Sequence, residues 1–229
     1  MLLADRVKND LIAAVKLTNP TGDVAAAVSL LERWDNTASA ESRGSSLFEL
    51  WWYQYSGLRP NVTALLPANQ RFARIWDVND PYNTPRGLAD ANRAVESFVW
   101  AVDETKKRYG AIDVTLGDVH RVRRGNVDAP VGGCGNELGC FRIMGFTRDK
   151  DGKLAATSGD GWVFAVEFGD TPRAYSVLAY GQSRLPASPW FSNQAEMFAK
   201  GEMKKVAFTE KDVEAAAVLK FKPGEKRAR

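Results

Sequence analysis

The feature that most restricts this chain is a change in residue grammar near Gly110. Ahead of it, apolar residues recur at helical spacing; after it, they gather in short β-branched and aromatic runs separated by Gly, Asp and Pro. Helices followed by strands, without regular alternation, do not build the crossover units of a doubly wound parallel sheet. The fold class read from this order is α+β, a helical first half followed by antiparallel strands and short terminal helices.

Within the first half, residues 1–17 read as an amphipathic helix. Asp5, Lys8 and Asp10 interrupt the apolar stretch that a signal peptide needs. A second helix carries Ala27, Val28, Leu31 and Trp34 on one face, with Asp23 after Thr21-Gly22 placed to cap it. Ser42 or Ser45 opens a third, running through Leu47, Leu50, Trp51 and Tyr55 and stopped by Gly57 and Pro60. The clearest helix follows Thr84, with Pro85 at its first position and Leu88, Ala91, Val95, Phe98, Val99 and Val102 along its apolar face. Lys106, Lys107 and Arg108 suit its negative end, and Gly110 stops it. Strands are expected at 119–122, 140–146, 162–168 and 174–179, with a hairpin turn at Asp151-Gly152. Short helices follow Pro189, the last preceded by a capping box from Thr209 to Asp212. The expected organisation is one structural part over 1–219 (helical 1–110, strand-rich 111–185, short helices 186–219) and a basic disordered tail over 220–229.

The net charge is +3, but the last ten residues alone carry +4, which leaves −1 for the rest. Nucleic-acid binding would need basic residues clustered on the folded body, so nucleic acid is not an expected partner. No apolar run approaches the roughly 18–20 residues needed to span a bilayer, and no membrane association is expected. Cys134 and Cys140 flank a glycine-rich stretch. A disulfide closing a small loop, a free thiol pair and a metal site are all conceivable. The disulfide fits best, because glycines let the chain turn back and His120 is the sole histidine to complete a metal set. A bridge would place the protein in the periplasm or outside the cell.

Asp118-Val-His120 is the one place where a carboxylate and an imidazole lie close in sequence. In a strand the two would share a face, and with a Ser brought in by the fold they could support a hydrolase. No serine sits in a Gly-x-Ser-x-Gly elbow, and a histidine hydrogen-bonded to backbone or to a carboxylate in a sheet is the favoured reading. Asp77-Val-Asn79-Asp80 and Asp149-Lys-Asp151-Gly152 resemble starts of calcium loops. In the first, Tyr82 and Leu88 occupy the glycine and bidentate-acid positions; in the second, the glycine comes early and Asp160 closes the loop. Both read as turns. The aromatic run Phe48-Glu-Leu-Trp-Trp-Tyr-Gln-Tyr55 reads as core ahead of a ligand pocket.

Four strings then carry a resemblance. Leu30-Leu-Glu-Arg-Trp-Asp35, with Glu41-Ser42 and Ser46-Leu-Phe48, is the first; Gly117-Asp-Val-His-Arg-Val122 is the second. Gly159-Asp-Gly-Trp162 opening a strand is the third. Gly181-Gln-Ser183 followed by Ser188-Pro-Trp190 and Asn193-Gln194 is the fourth and most distinctive. In this order, across residues 23 to 215, they resemble the penicillin-amidase-like acylases. The branch nearest in pattern includes acyl-homoserine-lactone and aculeacin-type acylases.

The resemblance implies part of a four-layer αββα sandwich in an N-terminal-nucleophile hydrolase that cleaves an amide bond between an acyl chain and an amine head group. The substrate would be of acyl-homoserine-lactone, penicillin or lipopeptide type. Such enzymes cut themselves into α and β chains, and the new N-terminal Ser is both nucleophile and, through its α-amine, base. The family's nucleophile and its oxyanion Asn both precede the Arg-Trp-Asp element, so the resemblance puts them upstream of Met1. Ser42, Ser183 and Asn193 therefore inherit no catalytic role, and no catalytic, cofactor-binding or metal residue is assigned; no cofactor is expected. The chain is expected to be the C-terminal portion of a β chain, inactive alone, with upstream acylase α and β segments as partners. The alternative is a non-catalytic truncated or split-gene module that associates with an acylase partner chain. A self-sufficient hydrolase built on His120 is the minor third.

Overall fold

The helical periodicity of the first hundred residues becomes a layer of helices closed over one aromatic seam. A computed structural model describes residues 1–58, 65–222 and 224. The chain divides into two units, Met1–Asp160 and Gly161–Arg229. In the first unit, α1 (Leu2–Lys16) buries Leu3, Val7, Leu11 and Val15, one stripe at three- to four-residue spacing. Helix α2 (Gly22–Arg33) follows Thr21, so Asp23 lies in its first turn and not at the cap. There the acid still faces the positive helix end, and it receives Lys106 Nζ at 2.6 Å.

Helix α3 (Ser45–Tyr55) starts at the second of the two expected serines; its exit is at Ser56, followed by Gly57. The other expected stop, Pro60, lies outside the described residues. Phe48, Trp51, Trp52 and Tyr55 are fully buried, so this part of the aromatic run is core. Trp34, Phe48 and Trp51 follow one another at ring separations of 5.2 Å. Tyr55 stacks on Trp51 at 5.6 Å, and its hydroxyl donates to Arg71 O (2.9 Å) while accepting from Ala89 N (3.1 Å). The short α4 (Ala68–Arg71) supplies that carbonyl.

Helix α5 (Ala91–Tyr109) begins six residues later than Pro85. Residues 86 and 74 are instead bridged in both directions (Arg74 N to Arg86 O 2.9 Å, Arg86 N to Arg74 O 3.0 Å), and Asp90 caps the helix by accepting from Arg93 N at 2.9 Å. Its end is as expected: Gly110 takes a left-handed conformation after Lys106, Lys107 and Arg108.

A short turn, α6 (Leu116–Val119), leads into β1 (His120–Arg124), β2 (Val127–Pro130), β3 (Met144–Arg148) and β4 (Leu154–Gly159). They form one sheet in the order β2-β1-β4-β3, antiparallel except for the β1–β4 pair. The expected strand at 140–146 contributes only from Met144, and Asp151-Gly152 does sit in the β3–β4 turn. Strands β2 and β4 escape the sequence reading because Val-Asp-Ala-Pro and Leu-Ala-Ala-Thr-Ser-Gly lack the β-branched and aromatic density that marks a strand.

The second unit holds β5 (Trp162–Glu167), β6 (Arg173–Leu178), α7 (Ala195–Lys200), β7 (Lys204–Val206) and α8 (Glu210–Ala216). Its three strands pair antiparallel in the order β5-β6-β7. The capping box is present: Thr209 Oγ1 accepts from Asp212 N, and Asp212 accepts from Thr209 N. Of the expected tail, residues 223 and 225–229 lie outside the described residues. No helix among the described residues is long and apolar enough to cross a membrane. The arrangement, helices first and antiparallel-rich sheets after, is α+β.

Candidate functional site

Ser46, Glu49 and Tyr53 lie at helical spacing along α3. They face a cavity of about 860 Å³ in the first unit, walled across from them by β3, β4 and residues 135–137. The volume lies within the range of small-molecule sites, and Leu50, Trp100, Ile143, Phe146 and Leu154 give it apolar sides.

The Glu49 side chain is only 8% exposed. Its Oε1 accepts from the Tyr53 hydroxyl at 2.9 Å, and its Oε2 lies 3.3 Å from His120 Nε2. The second contact is a close approach and not an aligned hydrogen bond, since neither His120 nitrogen meets hydrogen-bond geometry with any protein group. His120 is fully buried and stacks on Phe146 at 3.8 Å. Burial, reinforced by the Glu49 carboxylate, pushes the Tyr53 phenol far above its ordinary value, so it stays a neutral donor. Ser46 Oγ is buried with no protein partner.

The wall at 135–137 is held by the bridge between Cys134 and Cys140, which the structure forms with Cα atoms 5.7 Å apart. Gly139 O accepts from Leu2 N at 3.1 Å, and Cys134 exchanges backbone bonds with Arg142 (3.2 Å) and Met144 (3.0 Å). Of the alternatives open in the sequence, the disulfide is the one realised.

Asp118 is not the partner of His120. It belongs to α6 while His120 starts β1, so the two do not alternate on one strand face; Asp118 accepts instead from Thr115 Oγ1 at 2.7 Å. The carboxylate that meets the imidazole comes from 71 residues upstream. Ser46 enters the sequence analysis only as part of the first string, and Glu49 and Tyr53 only within the aromatic run, although polar residues at i, i+3 and i+7 in a helix are a visible signal.

The strings that looked catalytic or metal-binding are committed to local structure. Ser42 Oγ accepts from Trp34 Nε1 at 2.9 Å, and Asp35 accepts from Thr37 N and Oγ1 at 3.0 and 2.7 Å. In the second unit, Gly181 lets the chain close on itself: a Cβ there would sit 2.2 Å from Trp190 O and 2.7 Å from the Asn193 side chain. Ser183 Oγ accepts from Leu185 N at 3.1 Å, and the buried Gln194 side chain accepts from Leu178 N at 3.0 Å. Asp77 closes an Asx turn on Asn79 N (2.8 Å), and Asp80 pairs with Arg74 at 3.0 Å.

Asp149 and Asp151 grip the Arg123 guanidinium at 2.6 and 2.5 Å. That contact holds the Asp151 carboxyl down to about 2 and lowers Asp149 as well. Folded-state values below the unfolded ones mean stabilisation that is complete above roughly pH 4 and lost as pH falls toward 2. We expect Arg123→Ala to lower the melting temperature modestly near neutrality, because these acids are exposed. The two melting curves should converge on acidification. A gap that persists at low pH would assign the loss to packing.

Helices followed by antiparallel-rich sheets, together with the four ordered strings, define a class. The sequence matches the penicillin amidase family over residues 1–215, and the chain belongs to that family. Among its relatives are an acyl-homoserine lactone acylase PvdQ of Pseudomonas fluorescens, 29% identical over 81% of this chain, and the PvdQ of a second strain, 30% identical over 82%. The aculeacin-A acylase of Actinoplanes utahensis is 27% identical over 93%. The chain spans about a quarter of the length of these relatives, which are covered to 23%, 24% and 26%.

Proposed function

We propose that this chain is the C-terminal scaffold portion of an acylase that hydrolyses the amide bond of an N-acyl substrate, of acyl-homoserine-lactone, penicillin or lipopeptide type. The observation that carries the reading is the family match over 1–215, taken with relatives whose names describe acylases. The nucleophile and oxyanion donors are supplied by an upstream part of the enzyme. This portion acts on catalysis indirectly, by keeping the groups that touch substrate in place. The local commitments of Ser42, Ser183 and Gln194 support that division of labour. The working compartment is the periplasm or the exterior, which the Cys134–Cys140 bridge favours.

The test is hydrolysis of an N-acyl-homoserine lactone and of an aculeacin-type lipopeptide. The purified 229-residue chain is expected to show no turnover. Activity is expected on co-refolding with an upstream acylase polypeptide that carries an N-terminal Ser nucleophile. Turnover by the pure chain overturns the proposal, as does an inert mixture in which the two polypeptides demonstrably associate.

A further inference from the structure

We propose that β5 is the docking surface for an extended segment of the upstream acylase polypeptide, which adds a strand along the free edge of β5 and covers Trp162 and Phe164. The inference rests on the acylase reading for the identity of the partner; the surface itself is read from the second unit.

The first observation is a sheet whose two edges are built differently. In the order β5-β6-β7, both β5 and β7 pair on one side only. Strand β7 carries Lys204 and Lys205 in its three residues, the lysine content with which an open edge resists a further strand. Strand β5 begins Trp-Val-Phe-Ala-Val and has no charge or proline before Glu167. A continuous apolar run of that kind is the pattern of a strand flanked on both sides and covered on both faces. Yet Trp162 and Phe164 on one face are 61% and 47% exposed, and Ala165 on the other is exposed as well.

The second observation is where the apolar bulk of the unit lies. Apart from Val177 and Phe198, the buried apolar residues described in Gly161–Arg229 are alanines. The large rings are outside: the Trp162 and Phe164 centroids lie 5.3 Å apart, and Trp162 Nε1 donates to Ser176 Oγ of β6 at 2.9 Å. An aromatic surface already held in place loses little side-chain freedom when a partner arrives.

Edge and face together select the occupant. A second copy pairing β5 with β5 would close the edge but leave the aromatic face open. A longer polypeptide can pair the edge and cover the face. The relatives are covered by this chain to 23%, 24% and 26%, so most of an enzyme of that length lies outside it. The segment that fits is a strand with an apolar residue at every second position, because the neighbours of Trp162 and Phe164 across the new pair share their face.

The test is hydrogen exchange, read by mass spectrometry, on the 229-residue chain alone and after co-refolding with an upstream acylase polypeptide that carries the N-terminal Ser. Alone, the outward amides of residues 162–167 are expected to exchange freely. In the complex they should slow by at least about tenfold, as newly bonded strand amides do. Phe164→Lys places a charge where the free chain is open to water, and should weaken association by at least about tenfold because docking buries that charge. Lys205→Ser on the β7 edge should leave association unchanged. Association without slowing at 162–167, a folded F164K that binds at full strength, or equal weakening by both substitutions overturns the proposal. So does absence of association, and so does a dimer of the chain alone with 162–167 already protected. Should F164K not fold by circular dichroism, the exchange result decides. Turnover is read separately: a complex protected at β5 that hydrolyses no N-acyl substrate supports the docking and overturns the acylase reading, and turnover without that protection does the reverse.

Discussion

Trp51→Ala is expected to destabilise the first unit by about 3–5 kcal/mol, the scale seen when a large aromatic is cut from a closed core. The residue has no exposed surface and stands at the crossing of α3 and α5, where its Nε1 donates to Ala94 O at 3.0 Å. It packs Phe48 at 5.2 Å on one side and Tyr55 at 5.6 Å on the other. Neighbouring rings of this size cannot collapse into the void without leaving their own rotamers, so most of the cavity cost persists. A loss that large is a major share of the stability of a domain this size. The control is Trp76→Ala, because Trp76 is 59% exposed and should change stability by no more than about 0.5 kcal/mol. Urea unfolding followed by circular dichroism measures both. Equal, small losses would mean that the aromatic seam is not what holds the helices together.

That contrast marks what the sequence shows clearly. Apolar spacing predicts α1, α2, α3 and the body of α5, because each must bury one stripe and the stripe repeats every three to four residues. The capping box at Thr209 and the left-handed stop at Gly110 are equally local, and both are found where the sequence puts them. The misses are of another kind. The helix expected from Pro85 starts at Ala91, capped by Asp90, because residues 74 and 86 pair across the chain, a contact no window of sequence contains. Strands β2 and β4 exist through their neighbours and not through their own composition.

The site divides the same way. Cys134 and Cys140 could be paired from spacing and glycine content, since the closure is local. The contact of His120 with Glu49 could not, because the nearer acid in sequence, Asp118, is turned away by the short helix that carries it. The resemblance strings prove to be informative for structural reasons. Trp34 needs the Ser42 hydroxyl, and the loop after β6 needs Gly181 to pass Trp190 and Asn193. Those needs are short-range in space and fixed in order, which is why they are readable as strings, whereas the contact of Glu49 with His120 joins residues far apart in the chain.

Gly159, in the third of those strings, gives the second large expectation. Gly159→Ala should cost about 3 kcal/mol or more, because two penalties coincide there. Its φ is +121°, a region that strains a side-chain-bearing residue by roughly 1–2 kcal/mol. A Cβ would also lie 2.2 Å from Ile143 O and 2.8 Å from Met144 Cα. Those are backbone atoms of the partner strand, where Met144 pairs with Gly159 and the β3–β4 register shifts one step later, between Gly145 and Phe146. Relief requires the strands to part, and forcing atoms into packed structure typically costs about 1–3 kcal/mol more. Gly152→Ala separates the two penalties: its φ is +84°, but nothing lies within 4 Å of the new Cβ. It should cost only the strain, about 1–2 kcal/mol. Equal stability losses for the two substitutions would show that backbone strain, and not the close approach of β3, is what demands glycine at 159.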